Sequence, residues 1–308
     1  MLKNQKYGVE IEFTGITRKE AALIVADVLG TTISRIESGT YNTHHILDSE
    51  GRRWKVMRDG SIEPTRSAAR ANAPFDQYRV EFVTPPLRYD DIELLQKIVR
   101  AFRAAGATAN SSCGIHIHVD GANHNAMSLR RLVKLFVARQ DFIYEGLDIS
   151  SSRANYWCKP MAHTLIDEMA KKRTITRDEM EAIWYGPAND GYNRGINHEH
   201  YNSTRYHGLN LHSFFSKGTV EFRLFNSTLH AGKVKAYIQF CLAISAWAII
   251  TPNNGFFKTL NVTDRAERAR IWEHSLKQRF DLVGEEFATC RYHLTAGYRT
   301  GEDATAAA

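Results

Sequence analysis

The sequence predicts an α+β fold: an antiparallel sheet with helices packed on one face. Three observations carry this. Eight short runs alternate polar and apolar residues, four longer segments have helical start and stop signals, and the two kinds are interleaved. The alternating runs are 7–13, 31–37, 44–48, 52–58, 77–84, 114–120, 206–215 and 219–225. Asp48-Ser49-Glu50-Gly51 and Ser216-Lys217-Gly218 have the composition of hairpin turns. Thr17 with Glu20 forms a capping box for a helix that Gly30 closes. Asp90 with Glu93 opens a second helix, ended by Gly106, and Ser128 starts a third running towards Gly146. A fourth covers roughly 233–249.

Residues from about 150 to 203 break this rhythm. They are rich in Asn, Tyr and His, with one short helix capped by Thr176 and Glu179, and they form an insertion over the sheet. One domain over 1–250 carrying that insertion, a helical extension over 251–301 and a disordered tail over 302–308 complete the expected organisation.

A chain of 308 residues with 43% hydrophobic and 24% charged residues can bury one large core. Its formal charge of +6 suits partners bearing phosphates or carboxylates. The basic residues are scattered, which disfavours nucleic acid; the densest series, Arg130, Arg131, Lys134 and Arg139, is expected to be the wet face of a helix. Cys113, Cys158, Cys241 and Cys290 form no CxxC pair, so a disulfide framework or structural zinc site is not expected. No charged-then-apolar leader opens the sequence. The most apolar stretch, 236–250, is short for a bilayer core of about 30 Å and includes Gln239. It is expected to be a buried helix in a cytoplasmic protein with no membrane partner.

The chemistry is concentrated in a recurring pattern. Glu10-Ile11-Glu12, His116-Ile117-His118 and Glu221-Phe222-Arg223 each place two polar groups around one apolar residue. On a strand, i and i+2 share a face, so each apolar centre packs inward while each polar pair faces the other way. Glu81 in Val80-Glu81-Phe82 repeats the alternation, as do Asn210 and His212. One face then gathers four carboxylates and two histidines. Two carboxylates about 4 Å apart repel by about 4 kcal/mol at an effective dielectric of 20, and divalent cations relieve that cost. Oxygen-dominated donors favour Mg²⁺ or Mn²⁺, with imidazole tolerated. Arg223 suits a phosphoryl group through its planar fork. Singly, an ExE or EFR motif is ordinarily a solvated face; the recurrence of the pattern on at least three strands favours function.

In order along the chain, Gly8-Val-Glu-Ile-Glu-Phe13, Trp54-Lys-Val-Met-Arg-Asp-Gly-Ser61, Glu81-Phe-Val-Thr-Pro-Pro-Leu87, Cys113-Gly-Ile-His-Ile-His-Val119 and Arg205 through Thr228 resemble the putative amidoligase family, related to glutamine synthetase and glutamate–cysteine ligase. The resemblance implies a glutamine synthetase-like sheet with its active site on the face away from the helices. It implies an ATP- and Mg²⁺-dependent carboxylate–amine ligase working through an acyl phosphate, with small-molecule or peptide carboxylate and amine substrates. Glu10, Glu12, Glu81, His116 and Glu221 are then the metal ligands. Arg223, His118 and Glu12 are the catalytic groups, and Arg205, Asn210 and Arg223 contact nucleotide. Asp59 and Ser61 match a family motif without an assigned role. More acidic residues surround the first metal in those relatives than this sequence supplies, and their substrate-binding motifs are absent.

Candidates for the base that deprotonates the amine are His198, Glu199, His200 and His207, each otherwise a surface residue. Tyr156, Trp157, Trp184, Tyr185 and Tyr192 could line a substrate site. Three rivals stand beside the ligase. A zinc hydrolase would use His116, His118 and Asp120, recruiting His124, His44 or His45. The others are a non-catalytic nucleotide- or metal-binding protein and phosphoryl transfer without ligation.

Overall fold

In a computed structural model of the chain, residues 1–67, 73–190, 195–252 and 260–299 are described. Tyr192 and the tail expected over 302–308 lie outside them. The strands are β1 (Tyr7–Phe13), β2 (Ile33–Glu37), β3 (Thr43–Leu47), β4 (Arg53–Met57), β5 (Val80–Val83), β6 (Gly114–Asp120), β7 (Leu209–Asn210) and β8 (Thr219–Asn226). The helices are α1 (Arg18–Val28), α2 (Ile92–Ala104), α3 (Ala126–Gly146), α4 (Ser151–Tyr156), α5 (Thr164–Ala170), α6 (Arg177–Trp184), α7 (Pro187–Asp190), α8 (His212–Lys217), α9 (Ala231–Ile250), α10 (Arg265–His274) and α11 (Ala288–Leu294). The fold is therefore mixed α/β. Its strands follow the hydrogen-bonding order β2-β3-β4-β5-β1-β6-β8-β7, and every pair with a described register is antiparallel.

The chain divides into two compact units. One comprises Lys6–Ile117 and Phe225–Lys235; the other comprises Met1–Gln5, His118–Leu224 and the chain from Ala236 onward. Strands β6 and β8 each begin in one unit and end in the other.

In the first unit, period-two alternation sets the two faces of the sheet. Val9, Ile11, Phe13, Trp54, Val56, Val80 and Phe82 are buried, with α1 packed on β3, β4 and β5 and on α2. Phe102 of α2 meets Phe13 at 4.8 Å and Phe82 at 5.2 Å between ring centroids, and Trp54 stacks on Phe82. Each such ring contributes about 2–3 kcal/mol by leaving water. Helix α1 starts at the expected capping box: Thr17 N–H donates to Glu20 Oε2 at 2.7 Å and Glu20 N–H to Thr17 Oγ1 at 3.2 Å. Helix α2 differs in detail. Asp90 sits in a 3₁₀ turn that leads into the helix, and Asp91 stands at the cap position without a side-chain cap bond; its carboxylate accepts from Arg88 N–H and the Arg52 guanidinium, each at 2.8 Å.

Two expectations fail in the second unit. The run 206–215 is not one strand: only Leu209–Asn210 pairs, and α8 follows. Asn210 Oδ1 captures the His212 N–H at 2.8 Å, and Gly218, at φ +80°, supplies a left-handed helix cap where a hairpin turn was expected. The basic series on α3 is also not a wet face. Arg130, Arg131 and Lys134 are buried. Arg131 Nε donates to the Ala248 carbonyl at 2.8 Å, at the C-terminal end of α9, and Arg130 donates to the Lys172 carbonyl at 2.8 Å. The Arg131 guanidinium thereby satisfies a carbonyl left open at a helix end.

Helix α3 begins at Ala126, two residues before Ser128, and is capped by Asn125, which accepts the Ser128 N–H at 2.9 Å. Helix α9 is longer than the sequence suggested. At 20 residues it is long and apolar enough to cross a membrane by length and composition, yet 72% of its apolar window is buried inside the protein and Gln239 is fully enclosed. All four cysteines are buried free thiols. The described residues of the 150–203 stretch include the short helices α4 to α7, of which α6 has the expected Thr176–Glu179 box.

Candidate active site

The polar face of the first unit is built from adjacent strands. On β1, Glu10 and Glu12 lie on the face opposite to Ile11, and Glu12 stands directly across from Glu81 of β5. From β6, the His116 Nδ1 lies 2.9 Å from Glu10 Oε2, and its Nε2 lies 3.8 Å from Glu12 Oε1. Glu12 and His116 are buried, while Glu10 keeps a 24% exposed side chain. Gly114 N–H donates to Glu12 Oε2 at 2.6 Å, and the Ser227 hydroxyl holds the Glu12 carbonyl. One Glu12 oxygen is thus fixed by the backbone while the other is turned towards the imidazole. Two carboxylates flanking one imidazole, with a third carboxylate opposite, form an oxygen-rich donor set that fits a hard divalent cation.

The polar face of the second unit centres on Glu221. Asn210, its cross-strand partner, donates to Glu221 Oε2 at 2.7 Å, and Arg223 donates to Oε1 at 2.6 Å. His118 Nε2 is 3.9 Å from the same Oε1, while its Nδ1 is 3.0 Å from the Thr219 hydroxyl, which also bonds Ser213 at 2.9 Å. Arg223 is held from its backbone as well, since the buried Arg153 donates to its carbonyl at 2.9 Å.

Other expected residues have different placements. Arg205 donates to the His200 carbonyl at 2.6 Å and lies over the rings of Tyr201 and Tyr206. Asp59 closes its own turn, accepting from Ser61 N–H at 2.6 Å and from the Ser61 hydroxyl at 2.7 Å. Among the base candidates, His198 pairs with Glu181 at 2.6 Å and His207 donates to the Lys159 carbonyl at 3.2 Å; Glu199 and His200 are exposed. Trp184 and Tyr185 are buried, Trp157 packs edge-on against Tyr206, and Tyr156 is exposed. His212 leaves the strand pattern and receives the Tyr185 hydroxyl at 2.7 Å; burial, then the nearby Arg205, pushes its pKa down to about 4.

The groups a zinc hydrolase would need are engaged elsewhere. Asp120 accepts the Ala122 N–H at 3.0 Å, His45 pairs with Glu37 at 3.0 Å, and His124 lies between Ser128 and Ser245. His44 is buried on the strand position opposite Val56.

Sequence reasoning gave Gly114 a place in a motif but no role, and missed Thr219, Ser213, Ser227 and Arg153. Each acts through a backbone group or a small hydroxyl, residue types too common to mark a site without their partners' positions.

A family model described as a putative amidoligase enzyme matches residues 3–245. No curated protein matches the chain. Among solved structures, the chain is similar to a bifunctional glutathione synthetase from Pasteurella multocida, with 11% identity and a TM-score of 0.43; the match covers 96% of this chain and 48% of that one. The chain thus spans about half the length of that protein.

Proposed function

From the premise that this chain belongs to the putative amidoligase family, we propose that it is an ATP- and Mg²⁺-dependent ligase joining a carboxylate to an amine through an acyl phosphate. The observation that carries the proposal is the Glu10–His116–Glu12 arrangement, with distances of 2.9 and 3.8 Å and with Glu81 opposite Glu12. Glu10, Glu12, Glu81 and His116 are assigned as metal ligands on one unit, and Glu221 on the other. When bound there, Mg²⁺ or Mn²⁺ neutralises phosphate charge and orients the oxygens of ATP.

The remaining steps belong to the protein's own groups. Glu12, fixed by the Gly114 N–H, keeps its second oxygen in a constant direction. Arg223, pinned through its carbonyl by Arg153 and through its guanidinium by Glu221, presents donors to the phosphoryl group as it moves from ATP to the substrate carboxylate. That transfer breaks the bond from the β–γ bridging oxygen to the γ-phosphorus and releases ADP. The amine then displaces inorganic phosphate from the acyl carbon. His118, oriented by Thr219, is assigned to the nucleotide or substrate side, and Asn210 and Arg205 to nucleotide contacts. A cytoplasmic location belongs to the same proposal, supported by the four free thiols.

The test is an ADP-release screen of carboxylates against amines, read by mass spectrometry for a product equal to the two substrates less one water. Glu12→Gln and Glu221→Gln proteins are expected to fold and lose Mg²⁺-dependent ADP formation. Full activity in either variant, or ATP-independent hydrolysis that requires zinc, overturns the reading. A stable phosphorylated product with no amine consumed favours phosphoryl transfer without ligation.

A further inference from the structure

A second concentration of charge lies in residues that the proposed reaction does not use. Helix α10 is capped by Asp264, whose carboxylate accepts the Glu267 N–H at 2.7 Å. Its inner side is fixed by the buried Trp272, which donates to the Leu294 carbonyl at 2.7 Å and packs edge-on against Phe240 and Phe280. Arg268 is tied to Glu145 at 2.5 Å. With that side occupied, Glu267, Arg270 and His274, spaced three and four apart, share another face. The helix continues into a π-helical turn over Ser275–Arg279, a geometry often found at functional positions.

These residues border an open pocket of about 470 Å³, whose polar lining is Arg139 of α3 with Glu267, Arg270, His274, Ser275 and Arg279, beside the apolar Leu260 and Ile271. Three arginines thus line one pocket together with a single acidic residue, Glu267. Arg139 is half-buried and donates to the Ala138 carbonyl at 2.8 Å, and Arg279 lies 5.8 Å over the Trp247 ring. Both have lowered pKa values: burial is the main cause for each, and the Arg279 charge adds to it at Arg139. Cations gathered in this way repel, and a bound anion relieves the repulsion. Planar forks match phosphate oxygens in pairs, and Ser275 and His274 add hydrogen-bonding groups. The volume suits a small ligand and is too small for a nucleic-acid duplex.

We propose that this cavity binds a small multivalent phosphate, of the size of pyrophosphate or triphosphate. Residues 260–279, which form most of it, lie beyond the stretch matched by the amidoligase family model, so the site is an addition to that family's domain.

The experiment is calorimetric titration of the full chain with pyrophosphate in EDTA, which removes metal-dependent binding. Arg270 is exposed, so Arg270→Glu leaves the fold intact and should weaken binding at least tenfold. Arg139→Gln combined with Arg279→Gln should abolish binding, while Glu12→Gln and Arg223→Lys should bind as the unmodified protein does. Citrate should bind at least tenfold more weakly than pyrophosphate. No binding at millimolar pyrophosphate, unchanged affinity in Arg270→Glu, or equal affinity for citrate overturns the proposal. Failure of the ligase reading would appear separately, as absent ADP formation with pyrophosphate binding intact.

Discussion

Protonating His124 should destabilise the fold by an amount the structure sets. The ring is buried, with Nδ1 at 3.1 Å from Ser128 Oγ and Nε2 at 2.9 Å from Ser245 Oγ. Ser245 donates onward to Gln5 Oε1 at 2.5 Å, and Gln5 Nε2 donates to the Leu242 carbonyl at 2.8 Å. Ser128 O–H donates to the Asn125 carbonyl at 2.8 Å, which also accepts the Leu129 N–H, so this hydroxyl is able to turn to Nδ1 of a neutral ring whose Nε2–H donates to Ser245. The opposite tautomer takes the Ser245 proton away from Gln5 Oε1. Burial, and then the Arg131 charge, depress the His124 pKa from 6.5 to about 4. The unfolded chain therefore takes up the proton first. Stability from this group is complete above pH ~6.5 and is lost as pH falls towards about 4, at about 1.4 kcal/mol per pH unit, for a total of about 3 kcal/mol. Urea unfolding of the unmodified protein and of His124→Gln between pH 8 and 4 isolates this group from the carboxylates that titrate in both. The difference in stability between the two proteins should shrink by about 3 kcal/mol over that window. A constant difference, or an NMR titration placing the folded His124 pKa between 6 and 7, would refute the reasoning.

Three further outcomes are expected. Saturating Mg²⁺, at about 100 times its dissociation constant, should stabilise the fold by about 2.7 kcal/mol, about 4 °C in melting temperature for a chain this long; Glu12→Gln should melt normally and show no such shift by differential scanning fluorimetry. Arg223→Lys retains charge but loses the fork, so kcat should fall by about 10²-fold or more with a melting temperature within a few degrees; equal damage to both marks Arg223 as structural. Arg131→Gln should cost about 1–2 kcal/mol in urea unfolding, because the Ala248 carbonyl loses a charged donor. A neutral effect would restore the wet-face reading of α3.

The legible parts were those governed by neighbours in sequence. The 7–13 and 114–120 runs match β1 and β6 residue for residue, and 219–225 falls one residue short of β8. Alternation over two residues needs nothing beyond the strand itself. The Thr17–Glu20 and Thr176–Glu179 boxes were legible for the same reason, since both partners lie within one helical turn. Where a residue's partner lies far along the chain, local pattern misled. Arg131 satisfies a carbonyl 117 positions away, so a basic helical face expected to be wet is buried. The 206–215 run alternates like a strand, yet Asn210 and Gly218 offer its backbone a helical alternative that the surrounding fold selects.

The candidate site divides along the same line. Sequence alone determined that Glu10 and Glu12 share a face, that His116 and His118 share one, and that Glu221 and Arg223 share another, because strand geometry requires it. Only the tertiary structure decided that Glu12 stands opposite Glu81, that His116 falls between Glu10 and Glu12, and that Asn210 and Arg223 both hold Glu221. Cross-strand register and the direction of side-chain hydrogen bonds depend on how remote segments pack, and no period within a single strand encodes them.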